Sequence, residues 1–234
     1  MRGLILAAGR GSRMGSLTEE QPKSLVSVLG KPLIEHQLTA LKEAGIRDIC
    51  VVTGYQSQCL EPYGTCRIHN PRWAETNMVY SMLCAASWLK EDDCIVSYAD
   101  IFYTTRLVRD LIESSTETLV LLAYDPNWLD LWRQRFADPL QDAETFRMSV
   151  EGRLLEIGQK PSSIEEIQGQ YMGLLLFKKE FWRTLPAIEN DTLFMTDFLR
   201  KISEATPIKC VPNPYPWGEI DQISDLHLYE KKCL

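Results

Sequence analysis

The chain has 234 residues, of which 45% are hydrophobic, so it can bury a substantial core, and we predict a single domain over residues 1–234. The net charge of -7 and the lack of a long Lys/Arg run argue against nucleic acid or an anionic membrane surface as the main partner. No apolar run approaches the ~20 residues of a membrane-spanning helix, and the seven cysteines form no Cys-x-x-Cys pair, so we expect a cytoplasmic protein with free thiols.

Strands and helices alternate in the predicted secondary structure. Apolar segments predict strands at residues 2–8, 48–54, 93–100, 118–124 and 171–177. Helices are predicted from Pro32 to a C-terminal cap at Gly45, from about 77 to 89 and from about 196 to 203. Near-continuous apolar strands alternating with helices predict an α/β, Rossmann-like fold, with a mostly parallel mixed sheet covered by helices on both faces.

The first predicted strand runs into a glycine turn, "LILAAGRGSRM" at residues 4–14. The apolar stretch ends at Ala8, which is too short for a secretory signal. Met14 stands where a dinucleotide-binding fingerprint has its third glycine, and no Gly-Lys-[Ser/Thr] follows as in a P-loop. A plain structural turn and a phosphate-binding turn therefore both remain open from these residues alone.

The wider pattern, "LAAGRGSRM" followed by "QPKSL" and "GKPLIEH", resembles the nucleotidyltransferases that couple nucleoside triphosphates to phosphorylated sugars and alcohols. The resemblance covers nearly the whole chain and implies the nucleotide-diphospho-sugar transferase fold. It also implies that Leu6, Ala8 and Gly9 hold the base and ribose, while Gly11, Ser12, Arg13 and Lys23 face the triphosphate. Glycine lets main-chain N–H groups approach phosphate oxygens, and fixed cations offset the charge of the departing pyrophosphate, so Lys23 and Arg13 are the candidate catalytic residues.

Two acidic positions are candidates for a metal site. Asp100 ends the segment "DCIVSYAD", and Glu219 and Asp221 lie in "WGEIDQISDL". The resemblance implies that Asp100 and Asp221 bind a catalytic Mg²⁺, for which one or two protein carboxylates suffice. Helix capping is the structural alternative for each aspartate. An acceptor phosphate is already anionic near neutral pH and needs no general base, so His36, His69 and His227 are assigned structural or surface roles.

The branch of the family that this chain resembles most is the small phosphocholine cytidylyltransferase type, on the segments "RWAETNMVYSML" and "EIDQISDL". The resemblance implies CTP as the nucleotide. Asn77 and Ser81 lie at i and i+4, so both can face the nucleotide from one side of a helix. An N-cap asparagine with a packing serine is the alternative.

Residues 125–170 are predicted to form an acceptor-binding insertion. Trp128 and Trp132, at i and i+4, fit either a cage for a quaternary ammonium or ordinary core packing. Arg133 or Arg135 could instead hold an acceptor carboxylate. In "EIGQKPSS", Gln159 replaces the acid of the Glu-Lys-Pro found in the sugar-nucleotide branch, which weakens the case for a sugar. The remaining candidates for the acceptor wall are Lys160, Tyr171, Asp197 and Glu219.

The sequence thus predicts a Mg²⁺-dependent enzyme that transfers CMP from CTP to a small phosphorylated or phosphonate acceptor and releases pyrophosphate. Relatives of this branch serve phosphocholine, aminoethylphosphonate and phosphoglutamine, so a role in capsule or other cell-surface polysaccharide biosynthesis is expected, with a homodimer as the expected assembly. One alternative is a sugar-1-phosphate nucleotidyltransferase. A non-catalytic nucleotide-sensing module is another, and the presence of Lys23, Asp100 and Asp221 together argues against it.

Overall fold

Strands and helices alternate along the chain in the computed structural model, which describes residues 1–231 apart from residues 116, 187 and 189. The strands are β1 (Arg2–Ala7), β2 (Ser27–Val28), β3 (Lys31–Pro32), β4 (Ile49–Thr53), β5 (Cys66–His69), β6 (Cys94–Tyr98), β7 (Ile101–Tyr103), β8 (Val120–Asp125), β9 (Phe146–Met148), β10 (Leu154–Ile157), β11 (Gln170–Phe177), β12 (Ile208–Pro212) and β13 (Trp217–Glu219). The helices are α1 (Leu33–Glu43), α2 (Met78–Cys84), α3 (Ala86–Glu91), α4 (Thr105–Ser114), α5 (Trp128–Arg135), α6 (Lys179–Thr184), α7 (Met195–Ser203) and α8 (Ile223–Lys231).

The central sheet has seven strands in the order β12-β8-β11-β6-β1-β4-β5. Strand β1 runs parallel to β4 and β6, β4 runs parallel to β5, and β8 runs parallel to β12. Strand β11 alone is reversed, because it pairs antiparallel with both β6 and β8. The predicted mostly parallel mixed sheet is therefore confirmed.

Both faces of the sheet are covered, as the near-continuous apolar strands predict. Successive residues of β1 point to opposite faces: Ile5 packs in one hydrophobic cluster with residues of α1 and α4. Leu4 and Leu6 pack in a second cluster with residues of α2, α3, α6 and α7. Burial on both sides explains why β1 carries no polar alternation.

The predicted elements differ from the structure mainly at their ends. Helix α1 begins directly after Pro32, and Gly45 ends it in the left-handed region with φ +94°. The helix predicted from 77 to 89 is interrupted at Ala85, where φ is -95° and ψ is 20°, so α2 and α3 are separate. The two edge strands, β5 and β12, were not predicted, because edge strands are short and less uniformly apolar.

Two predictions from composition can be compared with the described residues. None of the helices described is long and apolar enough to cross a membrane. The described cysteines are free thiols, three of them buried: Cys50, Cys59, Cys66, Cys84, Cys94 and Cys210. Cys233 lies outside the described residues.

Several of the predicted site residues lie at one edge of the sheet. The carboxyl ends of β1, β6 and β8 lie there, together with the amino end of the reversed strand β11. Strand β7, which follows Asp100, pairs antiparallel with β13, so that Glu219 lies opposite Ile101. This pairing brings the last part of the chain against the end of β6.

Candidate active site

The glycine turn after β1 packs directly on Lys23. Gly11 adopts φ +72°, and a Cβ atom added there would lie 2.6 Å from the Cβ of Lys23, so only glycine fits. Within the described residues, the backbone N–H groups of Arg10 and Gly11 donate no hydrogen bond. The turn therefore presents unused donors beside a lysine, an arrangement suited to an anion such as a phosphate.

Three carboxylates meet beside this turn. The side chains of Asp100, Glu219 and Asp221 each offer an oxygen within 4.8 Å of the others. The Nζ atom of Lys23 donates to Asp100 Oδ2 at 2.9 Å and to Asp221 Oδ1 at 2.7 Å. Arg13 also donates to Asp221 Oδ1, at 3.0 Å. The two predicted catalytic cations and the two predicted metal ligands thus form one ionic network.

Burial and the neighbouring charges shift the pKa values of Lys23 and Asp221 in opposite directions. Burial alone would lower the pKa of Lys23, but Asp100 and Asp221 raise it well above its usual value, so the ammonium stays charged. Burial favours the neutral form of Asp221, yet Lys23 and Arg13 hold its pKa below the usual value. Burial, together with repulsion from Asp221, raises the pKa of Glu219 to about 8.

Arg135 connects this network to a fourth carboxylate, that of Asp225. Its side chain is fully buried and donates to Glu219 Oε2 at 2.7 Å and to Asp225 Oδ1 at 3.1 Å. Asp225 in turn accepts from the backbone N–H groups of Asp221 at 2.8 Å and Gln222 at 3.0 Å. The hypothesis that Arg135 binds an acceptor carboxylate is therefore wrong, because its guanidinium is already paired with carboxylates of the protein.

Gln37 fixes the backbone on either side of Asp100. This residue of α1 is fully buried, and its amide donates to the carbonyls of Tyr98 at 3.0 Å and Ile101 at 2.6 Å, on either side of the turn that carries Asp100. The sequence reasoning missed Gln37. A polar residue on the apolar face formed by Ile34 and Leu41 was the available signal, since a buried amide needs partners.

A cavity of about 170 Å³ opens between the glycine turn and the carboxylates. Its wall is formed by Leu6, Ala7, Gly9, Gly11, Lys23, Ser24, Met78, Ala99 and Asp100. Among the predicted nucleotide-binding residues, Ala8 and Ser12 are not in this wall. The Ala8 carbonyl instead accepts from the backbone N–H of Tyr55, and Ser12 is exposed.

Asn77 and Ser81, which are predicted to face the nucleotide, also lie outside the wall of this cavity. The Asn77 amide donates to the carbonyl of Thr192 at 2.5 Å. Ser81 is 5% exposed, and its hydroxyl accepts from the buried amide of Asn70 at 3.0 Å. Asn77 stands at the N-cap position of α2, but its side chain makes no cap hydrogen bond, whereas Ser81 is the packing serine of the alternative interpretation.

A second cavity, of about 230 Å³, adjoins the first on the other side of the carboxylates. It is lined by Arg13, Met78, Tyr98, Trp132, Asp142, Glu144, Gln170, Tyr171, Phe194, Met195, Thr196, Glu219 and Asp221. The predicted acceptor residues Trp132, Tyr171 and Glu219 are among them. Asp142 and Glu144 were missed, because nothing local distinguishes them from other acidic residues of a loop.

The two tryptophans do not form an open cage. Trp128 is 3% exposed and lies in the hydrophobic core, with its ring centroid 5.9 Å from that of Trp132. The Arg135 guanidinium lies 5.2 Å from the Trp132 ring centroid, and the Trp132 Nε1–H donates to Asp142 at 3.1 Å. Core packing, the alternative interpretation, therefore accounts for Trp128.

The remaining predicted acceptor residues lie outside both cavities. Arg133 is exposed on α5. Lys160 donates to the backbone carbonyls of Leu140 and Gln141. Asp197 pairs with Arg200 at 2.5 Å. A larger apolar cavity of about 410 Å³, between α6 and α7, contains none of the predicted site residues.

The carboxylate cluster has the chemistry of a magnesium site. Mg²⁺ prefers hard oxygen ligands, and it commonly takes one or two carboxylates with phosphate and water completing an octahedron. Oδ1 of Asp100 is buried and, within the part of the chain that the structure describes, has no hydrogen-bond partner. Helix capping does not explain this aspartate, since Thr104 is the N-cap of α4. The residues present therefore fit a divalent cation.

Comparisons with known proteins identify similar sequences and a similar fold. The sequence profile of the MobA-like NTP transferase domain matches residues 3–205. The chain is 37% identical to the CTP:phosphoglutamine cytidylyltransferase of Campylobacter jejuni, over 99% of this chain and 100% of that protein. It is 33% identical to the choline-phosphate cytidylyltransferase of Streptococcus pneumoniae, over 66% of this chain and 67% of that protein. The fold is similar to that of the inositol-1-phosphate CTP transferase of T. maritima, with a TM-score of 0.79 and 18% identity, covering 98% of this chain and 93% of the other.

Proposed function

The chain belongs to the family of MobA-like NTP transferase domains, and from its similarity to known cytidylyltransferases we propose that it is a cytidylyltransferase acting on a small acceptor that carries a cationic amine. It would transfer CMP from CTP to a phosphate or phosphonate oxygen of the acceptor and release pyrophosphate. Of the acceptors named for its relatives, phosphoglutamine is the one we assign, because the alignment with that relative extends over 99% of this chain.

The observation that carries the proposal is that the cavity beside the glycine turn borders the cluster of carboxylates and cations. The glycine turn, Lys23 and Asp100 line one cavity, whereas Glu219 and Asp221 line the next. A triphosphate in the first cavity and an acceptor in the second would meet at the carboxylates. The reacting phosphorus would then lie beside Lys23 and Arg13.

The reaction requires positioning and charge stabilisation by these residues. An acceptor phosphate oxygen forms a bond to the α-phosphorus of CTP, while the bond from that phosphorus to the bridging oxygen breaks and pyrophosphate departs with the electron pair. Lys23 and Arg13 offset the charge that develops on the leaving group. The acceptor is already an anion, so no side chain has to remove a proton.

Asp100 and Asp221 are the residues that we assign to a magnesium ion, with Glu219 adjacent. A bound Mg²⁺ would neutralise phosphate charge and hold the two substrates in line. Gln37 holds the backbone on either side of Asp100, and Arg135 pairs with the adjacent Glu219, so both would help to position the ligands of a bound metal ion.

The acceptor preference follows from the charges on the wall of the second cavity. Within the described residues, Glu144 has no ion pair, and Asp142 has only its hydrogen bond from Trp132. Burial raises the pKa of Asp142, and burial with repulsion from Asp142 and Asp197 raises the pKa of Glu144. A bound ammonium group would stabilise the ionised carboxylates of Asp142 and Glu144 and so lower both pKa values, whereas a neutral sugar would not. A primary ammonium fits better than a quaternary one, because it donates hydrogen bonds to carboxylates.

Steady-state release of pyrophosphate tests this function. We expect CTP to be the preferred nucleotide and phosphoglutamine to be the best acceptor in a series with phosphocholine, 2-aminoethylphosphonate and glucose 1-phosphate. Phosphoethanolamine and 2-hydroxyethyl phosphate form a matched pair that differs only in the amine, and the amine should raise kcat/KM by about tenfold or more. Preference for glucose 1-phosphate would overturn the acceptor assignment, and an absence of pyrophosphate release with every nucleotide would overturn the function.

The product would be a CMP-activated donor of the acceptor group. We place such a donor in capsule or other cell-surface polysaccharide biosynthesis, with CTP drawn from the cytoplasm. Detection of the CMP diester by mass spectrometry, and its consumption by a transferase acting on a polysaccharide, would test this role.

A further inference from the structure

The position of Lys23 within the carboxylate cluster suggests a second role besides contact with the triphosphate. We propose that Lys23 is a built-in counter-cation, which keeps free divalent metal out of the nucleotide-free protein and moves to the phosphates when the metal enters with the nucleotide. This inference rests on the metal-dependent function proposed above and adds an order of binding to it.

Lys23 contacts two of the carboxylate oxygens that are available to a metal ion at this site. The Lys23 ammonium lies 2.9 Å from Asp100 Oδ2 and 2.7 Å from Asp221 Oδ1. A Mg²⁺ ion binds carboxylate oxygens at about 2.0–2.1 Å, so an ion shared by these two oxygens would lie in direct repulsive contact with the ammonium. The two cations therefore compete for the same pair of oxygens.

The charge balance favours the lysine while no nucleotide is bound. Three cations, Lys23, Arg13 and Arg135, contact four carboxylates, those of Asp100, Glu219, Asp221 and Asp225. A free divalent ion would add two positive charges to a cluster in which the cations already offset most of the negative charge. A metal–triphosphate complex is instead a net anion, and its phosphates offer Lys23 and Arg13 new partners.

Lys23 can reach both positions without movement of the backbone. Its side chain forms part of the wall of the nucleotide cavity and is also bonded to the two aspartates. A Cβ atom added to Gly11 would lie 2.6–2.9 Å from the Cβ, Cγ and Cδ atoms of Lys23, so the aliphatic part of the Lys23 side chain packs closely on the glycine turn. Rotation about the terminal bonds is then enough to carry Nζ from the carboxylates to a phosphate in the same cavity.

The test is the affinity of the nucleotide-free protein for Mn²⁺, measured by electron paramagnetic resonance of the unbound ion. Lys23→Met keeps the length of the side chain and removes its charge. We expect it to bind Mn²⁺ at least tenfold more tightly than the wild type. The matched control is Lys178→Met, which removes a lysine from an ion pair of the same length, 2.9 Å, with Asp93 outside both cavities. Its Mn²⁺ affinity should equal that of the wild type.

Arg13→Met tests whether the loss of any positive charge near the carboxylates is enough to raise the Mn²⁺ affinity. Arg13 also contacts Asp221, but its side chain is 68% exposed. We expect a change in Mn²⁺ affinity of less than threefold for this variant. Because α,β-methylene-CTP itself chelates Mn²⁺, its protein-free titration is subtracted. After this subtraction, the wild type should bind Mn²⁺ at least tenfold more tightly with the analogue than without it, and this gain should shrink in Lys23→Met.

Equal Mn²⁺ affinity of wild type and Lys23→Met would overturn the proposal, as would an equal gain in Arg13→Met. If Lys23→Met does not fold, Lys23→Gln serves as the second variant, and the nucleotide-dependent gain in the wild type must still be observed. The proposed function is assessed separately, by pyrophosphate release from the wild-type enzyme. A wild type that turns over CTP but binds free Mn²⁺ as tightly as Lys23→Met would refute this inference and leave the function intact.

Discussion

Replacement of Arg135 by methionine should strongly lower the free energy of unfolding of the protein. The Arg135 side chain is fully buried and bonded to Glu219 at 2.7 Å and to Asp225 at 3.1 Å. Methionine is similar in length but leaves the buried Asp225 carboxylate without its cation. Breaking a buried ion pair from one side typically costs about 3–5 kcal/mol, a large share of the ~5–15 kcal/mol by which a domain is stable.

The expected loss can be measured in two ways. Urea unfolding monitored by tryptophan fluorescence should give a free energy of unfolding lower by about 3–5 kcal/mol. For a protein of this size, each kcal/mol corresponds to about 2–4 °C, so the melting temperature should fall by about 6–20 °C. Activity below the melting temperature should also fall, because Asp225 holds the backbone of Asp221 through its N–H group.

The matched control is Arg133→Met, two residues away on the same helix. Arg133 is exposed, and a surface substitution of this kind usually changes stability by no more than about 0.5 kcal/mol. A loss below about 1 kcal/mol in Arg135→Met, or equal losses in the two variants, would refute the assignment of Arg135 as the buried support of the carboxylates.

Lys23→Ala should lower kcat/KM for CTP by about 10²-fold or more, because a fixed cation beside developing phosphate charge is worth several kcal/mol; unchanged pyrophosphate release would contradict this. Asp100→Asn and Asp221→Asn should each remove most of the Mg²⁺-dependent activity, and the double variant should lose little more, since both act through one metal; full activity in EDTA would argue against the site. Asp142→Asn combined with Glu144→Gln should raise KM for phosphoethanolamine about tenfold with KM for CTP unchanged, and an unchanged acceptor KM would exclude an ammonium contact. Because both wild-type carboxyls have raised pKa values, their contribution to stability should be lost as pH rises through those values, and urea titrations should show a weaker pH dependence in the double variant.

The architecture of the sheet could be predicted from local pattern alone. Leu4, Ile5 and Leu6 are all apolar because both faces of β1 are covered. These residues are consecutive, so the sequence alone indicates a strand that is buried on both faces. The association of Lys23 with the glycine turn was predicted through the family resemblance, and Lys23 lies only 12 residues after Gly11. In contrast, the reversal of β11 has no local signature, since a buried strand is apolar whichever way it runs.

The arrangement of the site depends on contacts that no local pattern contains. Asp100 and Asp221 are distant in the sequence and meet because β7 pairs with β13. Periodicity indicates that Trp128 and Trp132 share a face of α5, but it does not indicate what covers that face. In the structure the core covers Trp128, while Arg135 and Asp142 contact Trp132.

Sequence by itself therefore determined the fold class and the family, and through the family resemblance it predicted Lys23 and Asp100 as site residues. Only the tertiary structure decided which of two neighbouring arginines is buried, and that Asp142 and Glu144 line a cavity shared with Glu219. The physical reason is one of range. Backbone propensity and hydrophobic periodicity act over a few residues, whereas the pairing of buried charges is settled by the packing of elements that are far apart in the chain.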